Sequence, residues 1–150
     1  MQGIGDFYCF RLGAISRRIA RYYNDCYTDL GITFGQSFVL YYLIDHDGSN
    51  VKEIATAVQL DSPGVTSMTD RLVKQGLVLR QEDPNDRRST QIFLTSEGRR
   101  IAEEAIKIVL KLDPYLKKHL AEGTITGLEQ TMAELEQELQ ANKDRCAEIE

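Results

Sequence analysis

The fold of this chain is decided by VKEIATAVQLDSPGVTSMTDRLVKQG, residues 51–76. Its apolar residues recur at steps of three and four in two short segments that a tight turn separates, which predicts two helices. The inward faces are predicted from these positions: Ile54, Ala55 and Val58 in the first helix; Val65, Met68 or Thr69, Leu72 and Val73 in the second. Ser62 is the expected N-cap of the second helix, Pro63 its first helical residue and Gly76 its stop. The pattern predicts a helix-turn-helix.

A charged hairpin follows directly, in EDPNDRRSTQIFLTSEG, residues 82–98. Two strand-like runs, 77–82 and 90–94, flank a loop at 83–89 that holds Arg87 and Arg88. A helix-turn-helix followed by such a hairpin describes a winged helix-turn-helix, whose second helix fits the major groove while the hairpin reaches the flanking DNA. The alternative is a plain packing unit, with the arginines in a solvated turn whose ion pair contributes under about 1 kcal/mol.

The remaining chain is predicted to be helical. A first helix spans 7–30 and ends at Gly31; Thr33 caps a second, apolar helix at 36–44. Thr95 caps a long helix that Pro114 kinks or interrupts, and a last helix carries Leu128, Met132, Leu135 and Leu139 at heptad-like spacing. The fold class is therefore mainly α with a small β-hairpin wing, in the order ααααββαα.

Composition limits the classes of protein. The 150 residues fit a single domain, and no segment approaches the roughly 20 apolar residues of a membrane span. The start lacks a secretory pattern, so a cytoplasmic location is expected. Three cysteines and two histidines lack metal-ligand spacing, so neither a metal nor another cofactor is expected. The net charge is −5, but successive thirds of fifty residues carry −1, +1 and −5, which leaves positive groups available in the middle third.

The residues DPNDRRSTQIFLTSEG, together with the preceding TDRLVKQGLV, resemble the multiple antibiotic resistance regulator (MarR) family of transcription factors. The resemblance extends from about residue 7 to residue 139. It implies that Asp86 braces an arginine and that Arg88 is the arginine that enters the minor groove, with Arg87 the variable residue between them. An arginine gains there from the strongly negative potential of a narrow minor groove.

The outward face of the recognition helix is predicted from helical spacing to hold small or polar residues: Ser62, Pro63, Gly64, Thr66, Ser67 and Asp70. Hydroxyl groups can read several base edges, and a glycine allows close approach of the backbone. Many family members have an arginine where this chain has Ser67, so the base preference of relatives does not transfer. Arg71 and Lys74 are expected to contact phosphate or to be surface charges.

The resemblance also implies an intertwined homodimer. Residues 1–33 and 100–150 would form the helical dimerisation region, and residues 34–99 the DNA-binding lobe. Two-fold symmetry would place the recognition helices about 34 Å apart and would predict palindromic operators on double-stranded DNA.

Two signals for a repressor remain open. A branch of the family senses organic hydroperoxides, and Cys9 and Tyr23 match its sensor cysteine and one of two hydrogen-bonding tyrosines. Phe34 replaces the second tyrosine and cannot donate, and a free cysteine on an apolar helix is more often a small core residue. The other signal is a small aromatic or phenolic ligand, for which Tyr22, Tyr23, Tyr27, Tyr41 and Tyr42 offer either a pocket or ordinary packing.

Two other classes of protein have less support in the sequence. An enzyme is disfavoured because no glycine-rich phosphate loop and no Gly-x-Ser-x-Gly elbow is present. A helical dimerisation or adaptor protein that keeps the winged fold without binding DNA is the other alternative.

Overall fold

The computed structural model describes residues 3–82, 89–118 and 124–141, with the side chains of 115, 116, 124–126, 128, 129, 140 and 141 left aside. The helices are α1 (Tyr8–Cys26), α2 (Phe34–Asp45), α3 (Val51–Ala57), α4 (Ser62–Lys74), α5 (Ser96–Lys118) and α6 (Thr124–Ala141). The strands are β1 (Ser49–Asn50), β2 (Val78–Glu82) and β3 (Thr90–Leu94), and short 3-10 turns lie at Ile4–Asp6 and Thr28–Leu30. The chain divides into two compact units at the bond between Ile108 and Val109. The mainly helical winged architecture is confirmed.

The core of the first unit surrounds α2. Val39, Leu40 and Leu43 are fully buried on that helix, as the apolar sequence of this segment predicts. Fully buried side chains from α3, α4 and β3 complete the core, among them Ile54, Val65, Leu72 and Ile92.

The sheet has three antiparallel strands in the order β1-β3-β2. The hairpin pairs Val78 with Leu94 at its base and Glu82 with Thr90 at its far end. Strand β1, which the sequence did not predict, pairs Ser49 with Ile92. The sheet therefore ties the hairpin to the loop that follows α2.

Several predicted caps are confirmed. The Thr33 hydroxyl accepts the Gln36 backbone N–H at 3.3 Å, and the Gln36 side chain accepts the Thr33 N–H at 2.8 Å, which together form a capping box. The Thr95 hydroxyl accepts the Gly98 N–H at 2.9 Å at the start of α5. Gly76 follows the end of α4 with φ of 70°, the left-handed conformation that glycine adopts readily.

Some predicted boundaries are wrong. The first helix ends at Cys26 and not at residue 30, because the Thr28 hydroxyl donates to the Asp25 carbonyl at 2.9 Å and a 3-10 turn follows. Ser62 is the first helical residue of α4 and not its N-cap, since the extended residue before the helix is Asp61. Helix α5 continues through Pro114 to Lys118, so the proline does not interrupt it.

One predicted inward position, Val73, is wrong, whereas Thr69 is confirmed. Val73 is 37% exposed because Thr69 and Leu72 take the inward side of the last turns of α4. Thr69 is fully buried, and its hydroxyl is satisfied by donating to the Val65 carbonyl at 2.7 Å.

Candidate nucleic-acid interface

The helix-turn-helix is closed by an unusual turn. Gln59 has φ of 54°, and the Leu60 N–H donates to the Ala55 carbonyl at 3.0 Å. A left-handed residue with such a bond across it ends α3 as a Schellman motif would, although glycine is the usual residue there. The turn therefore fixes the angle at which α4 leaves α3.

Helix α4 presents a polar face while its other face is anchored in the core. Val65, Thr69 and Leu72 are fully buried, whereas Ser62, Pro63, Thr66 and Ser67 are exposed and Gly64 is half-buried. The structure thus brings five of the predicted contact residues together along the N-terminal half of one helix. This is the half of a recognition helix that meets base edges in a major groove.

Gly64 also makes room within α4 itself. A Cβ built at this position would lie 2.6 Å from a carboxylate oxygen of Asp61, the residue that precedes the helix. The absence of a side chain at Gly64 therefore lets Asp61 fold over the first turn.

Arg71 and Lys74 lie exposed in the last turns of α4, and Lys52 is exposed on α3. The Arg80 side chain, on β2, contacts the Asp70 carboxylate at 2.6 Å, with 34% of Arg80 and 47% of Asp70 exposed. Arg80 could not be recognised from the sequence pattern, because its partner lies ten residues away on a different element. The pair joins the recognition helix to the base of the wing.

The Leu-Thr-x-x-Gly stretch, residues 94–98, has a structural role at that base. The Thr95 hydroxyl donates to the Gly76 carbonyl at 2.8 Å, and the Thr95 N–H donates to the Leu77 carbonyl at 3.0 Å. A Cβ at Gly98 would overlap the Leu77 carbonyl oxygen. Thr95 and Gly98 therefore allow α5 to pack directly on the start of β2.

The predicted wing residues Asp86, Arg87 and Arg88 lie outside the described residues. In the sequence they lie between Glu82 and Thr90, which form the last described pair of the hairpin.

The residues of the predicted effector region are only partly brought together. Tyr23 is buried and stacks on Phe34, with ring centroids 4.6 Å apart and planes 15° from parallel. Cys9 is exposed on α1, fourteen residues from Tyr23, which corresponds to about 21 Å along a helix. Within one chain, Cys9 therefore does not meet Tyr23 or Phe34.

The tyrosines of the predicted pocket divide into two groups. Tyr23 and Tyr27 are buried as packing residues, and Tyr22 is 55% exposed with its ring edge-on to Tyr23. Tyr41 and Tyr42 instead line an open groove of about 370 Å³ between α2 and the end of α3. Its other lining residues are Phe38, Asp45, His46, Ala57, Val58 and Gln59.

The Tyr27 hydroxyl has no hydrogen-bond partner among the residues that the structure describes. Burial raises the pKa of this phenol above its ordinary value of 10.0. Because its side chain is inaccessible to solvent, Tyr27 serves packing.

In the described parts of the chain, no His, Cys, Asp and Glu side chains gather in a group of three that could hold a metal ion. Over the same residues, no helix combines the length and the apolar character that crossing a membrane requires.

A helix-turn-helix with an exposed hydroxyl face, followed by an antiparallel hairpin, defines a winged helix-turn-helix DNA-binding protein. The MarR family model matches residues 32–90, the segment from two residues before α2 to the first residue of β3. The organic hydroperoxide resistance transcriptional regulator of Bacillus subtilis is 33% identical over 126 residues, which cover 84% of this chain and 77% of that protein. The chain belongs to the MarR family.

Solved structures agree with this assignment. A variant of Escherichia coli MarR in complex with operator DNA superposes with a TM-score of 0.75 at 28% identity, over 83% of this chain and 89% of that one. CouR of Rhodococcus jostii bound to a 23-mer DNA duplex superposes with a TM-score of 0.76 at 28% identity, over 88% and 94%. The protein is thus a DNA-binding transcriptional regulator and not an enzyme.

Proposed function

We propose that this chain is a repressor that binds palindromic operators as a homodimer and is released by a small aromatic or phenolic ligand. The observation that carries the DNA contact is the exposure of Ser62, Thr66 and Ser67 on a helix whose opposite face is fully buried. Residues 34–99 form the DNA-binding lobe in this proposal, and residues 1–33 and 100–150 the dimerisation region. A helix anchored in this way loses little conformational freedom when it enters a groove.

Base reading is assigned to the first turns of α4. The hydroxyls of Ser62 and Ser67 can donate or accept, and Gly64 with Pro63 leaves the helix end free of bulk. The Thr66 hydroxyl already donates to the Ser62 carbonyl at 2.8 Å, so it offers base edges an acceptor. With serine at position 67, specificity rests on hydroxyl contacts and DNA shape, while Arg71 and Lys74 contact phosphate.

The wing is assigned to the minor groove, with Arg88 as the inserted residue and Asp86 as its brace. Support comes from the sequence pattern and from the antiparallel hairpin, whose described register ends at the pair of Glu82 with Thr90. Arg87 is assigned to the adjacent phosphate.

The test is a titration of a duplex that carries the promoter next to the gene, with Arg88→Ala beside wild type. We expect tight binding with steep salt dependence for wild type and a loss of about 1 to 3 kcal/mol for Arg88→Ala. Lys107→Ala is the charge-matched control, because Lys107 lies far along α5 and is paired with Glu104 at 2.7 Å. An Arg88→Ala affinity equal to that of Lys107→Ala would contradict the wing assignment, and a wild type without DNA affinity would favour the adaptor alternative.

The groove on α2 is the proposed ligand site. Phe38, Tyr41 and Tyr42 supply aromatic surface, and Tyr42 stacks on His46 with ring centroids 4.4 Å apart. A volume of about 370 Å³ suits a single aromatic ring with a short substituent. One protein of the same fold, CouR, has been solved with p-coumaroyl-CoA, which is a phenolic ligand.

Release by phenolic acids tests this site, with Tyr41→Ala compared with Tyr22→Ala. Both tyrosines are more than half exposed, but only Tyr41 lines the groove. We expect Tyr41→Ala to weaken the effector response about tenfold and Tyr22→Ala to leave it unchanged. Equal responses of the two variants would exclude the groove as the site.

The alternative signal is oxidation of Cys9, which is favoured by the hydroperoxide-resistance regulator at 33% identity and by the exposure of this cysteine. The Cys9 thiolate would attack a peroxide oxygen, take it up as a sulfenic acid and release the alcohol, in a two-electron oxidation of sulfur. Since Tyr23 lies about 21 Å from Cys9 along α1 and Phe34 stacks on Tyr23, stabilisation by these rings would have to come from the partner chain.

Cumene hydroperoxide distinguishes the two signals. If Cys9 is the sensor, peroxide releases DNA from wild type and from Cys26→Ser but not from Cys9→Ser. Release that persists in Cys9→Ser would exclude Cys9.

A further inference from the structure

Two glutamine side chains form a hydrogen-bonded relay between α2 and the end of the recognition helix. Gln36, which is 3% exposed, donates its side-chain N–H to the Gln75 side-chain oxygen at 3.1 Å. Gln75, the residue that caps the C-terminal end of α4, donates in turn to the Gly31 carbonyl at 2.6 Å. Neither glutamine belongs to the apolar core, and neither is among the expected DNA contacts.

The direction of every hydrogen bond in this relay is fixed. The Gln36 oxygen accepts the Thr33 N–H at 2.8 Å, so its amide nitrogen must face Gln75. Gln75 must then present its oxygen to Gln36 and its nitrogen to the Gly31 carbonyl. Neither amide can flip without setting two acceptors or two donors against each other, and the cost is greatest at Gln36, which is buried, whereas Gln75 is exposed.

The relay connects two parts of the lobe with different roles. One end is the α1–α2 junction, where Asn24 accepts the Phe34 N–H at 2.7 Å and Tyr23 stacks on Phe34. The other end is the C-terminus of α4, about 20 Å by helix rise from Ser62. A tilt of about 5° at one end of such a helix moves the other end by about 1.7 Å, enough to break base contacts.

Close packing leaves little room for the two helices to adjust independently. A Cβ at Gly35 would lie 2.9 Å from the terminal methyl of Met68, so α2 and α4 approach closely one residue before Gln36. A shift of the start of α2 therefore acts on α4 through both Met68 and the amide relay.

We propose that Gln36 and Gln75 are positioning residues that hold α4 in register with the α1–α2 junction, so that a change at this junction alters DNA affinity. The proposal rests on the proposed role of α4 as the recognition helix. Through these two side chains, a displacement of the stacked Tyr23 and Phe34 rings would be transmitted to the exposed face of α4.

The first test uses the free protein and backbone amide chemical shifts. Phe34→Ala changes the α1–α2 junction, and we expect it to shift amide signals along α4 in the wild-type background. In the Gln75→Met background, which keeps the side-chain length and charge and leaves the Gln36 capping box intact, we expect these shifts to fall at least threefold. Shifts of equal size in both backgrounds would overturn the relay, whether or not the protein binds DNA.

The second test compares affinities for an operator duplex and for a scrambled duplex. We expect Gln75→Met to lower operator affinity about tenfold with little change for the scrambled duplex. Gln36→Glu, which retains the capping box but sets an acceptor against the Gln75 oxygen, should reproduce the lost discrimination. Gln137→Met and Gln137→Glu, on the exposed surface of α6, are the matched controls.

A uniform loss for both duplexes, or no loss for either, would contradict the positioning role. If wild type itself fails to discriminate the duplexes, the proposed repressor function is wrong, while the chemical-shift test still decides on the relay.

Discussion

At the scale of single residues, Gly98 allows α5 to approach the base of the wing closely because it has no side chain. Because a Cβ there would overlap the Leu77 carbonyl, Gly98→Ala must push α5 away from β2 and strain the Thr95 hydrogen bonds. We expect a loss of about 2 kcal/mol or more in the free energy of unfolding, measured by urea denaturation. Gly127→Ala is the control: it has open space around its Cα and should stabilise α6 by about 0.5 to 1 kcal/mol. Equal effects of the two substitutions would contradict the close approach.

Tyr27 gives a prediction about pH. Burial favours the protonated phenol in the folded state, so its folded pKa lies above 10.0. The stability that this group contributes is fully present below pH 10 and is lost as the pH rises towards the folded pKa. We therefore expect the free energy of unfolding to fall above pH 10 in wild type, less steeply in Tyr27→Phe, and as in wild type for the exposed Tyr22→Phe. Identical pH profiles for the two variants would exclude Tyr27 as the source.

At the scale of elements, the α3–α4 turn depends on a left-handed glutamine. A β-branched side chain is strained at φ of 54°, whereas asparagine tolerates this region. We expect Gln59→Val to lower the free energy of unfolding by about 1 to 2 kcal/mol more than Gln59→Asn, by thermal denaturation. Both variants remove the glutamine side chain, so their difference isolates the backbone conformation, and a difference near zero would contradict the strained turn.

Elements that depend on residues close together in the sequence were predictable, whereas elements that depend on pairing between residues far apart in the sequence were not. The sequence predicts the caps at Thr33 and Thr95 because their hydroxyls can accept a backbone N–H of the first helical turn. It predicts the helix end at Gly76 because glycine adopts a left-handed conformation readily. Strand β1 has only two residues, and it exists because Ser49 meets Ile92 across the fold. No periodicity can arise in two residues, so the pattern could not reveal it.

The candidate site divides in the same way. The exposed face of α4 follows from helical periodicity, so the sequence alone predicts its residues. Arg80 and Gln75 act through partners ten and thirty-nine residues away, which no local pattern encodes. The left-handed Gln59 was missed because the sequence offers no glycine at that turn.

At the scale of the whole molecule, large apolar side chains remain uncovered in both units. On α1, Tyr8, Leu12 and Ile15 are 77%, 60% and 53% exposed, and on α6 Met132, Leu135 and Leu139 are 53%, 45% and 70% exposed. Apolar stripes of this extent on two helices are typical of surfaces that a second chain covers. They support the proposed homodimer without assigning the geometry of its interface.

Leu135→Asp tests the proposed dimer with Gln137→Asp as its control. Both place an aspartate in an exposed position of α6, so helix propensity and net charge change alike, but only Leu135 lies on the apolar stripe. Burying an unpaired carboxylate at a subunit interface is costly, so we expect Leu135→Asp to sediment as a single chain at concentrations where Gln137→Asp remains a dimer. Because each chain then binds its half-site without a partner, operator affinity should fall at least a hundredfold, while a half-site duplex is bound as before.

Two outcomes would contradict this prediction. A Leu135→Asp protein that still sediments as a dimer would place the interface elsewhere on the chain. A protein that dissociates but keeps full operator affinity would show that one chain alone reads the operator.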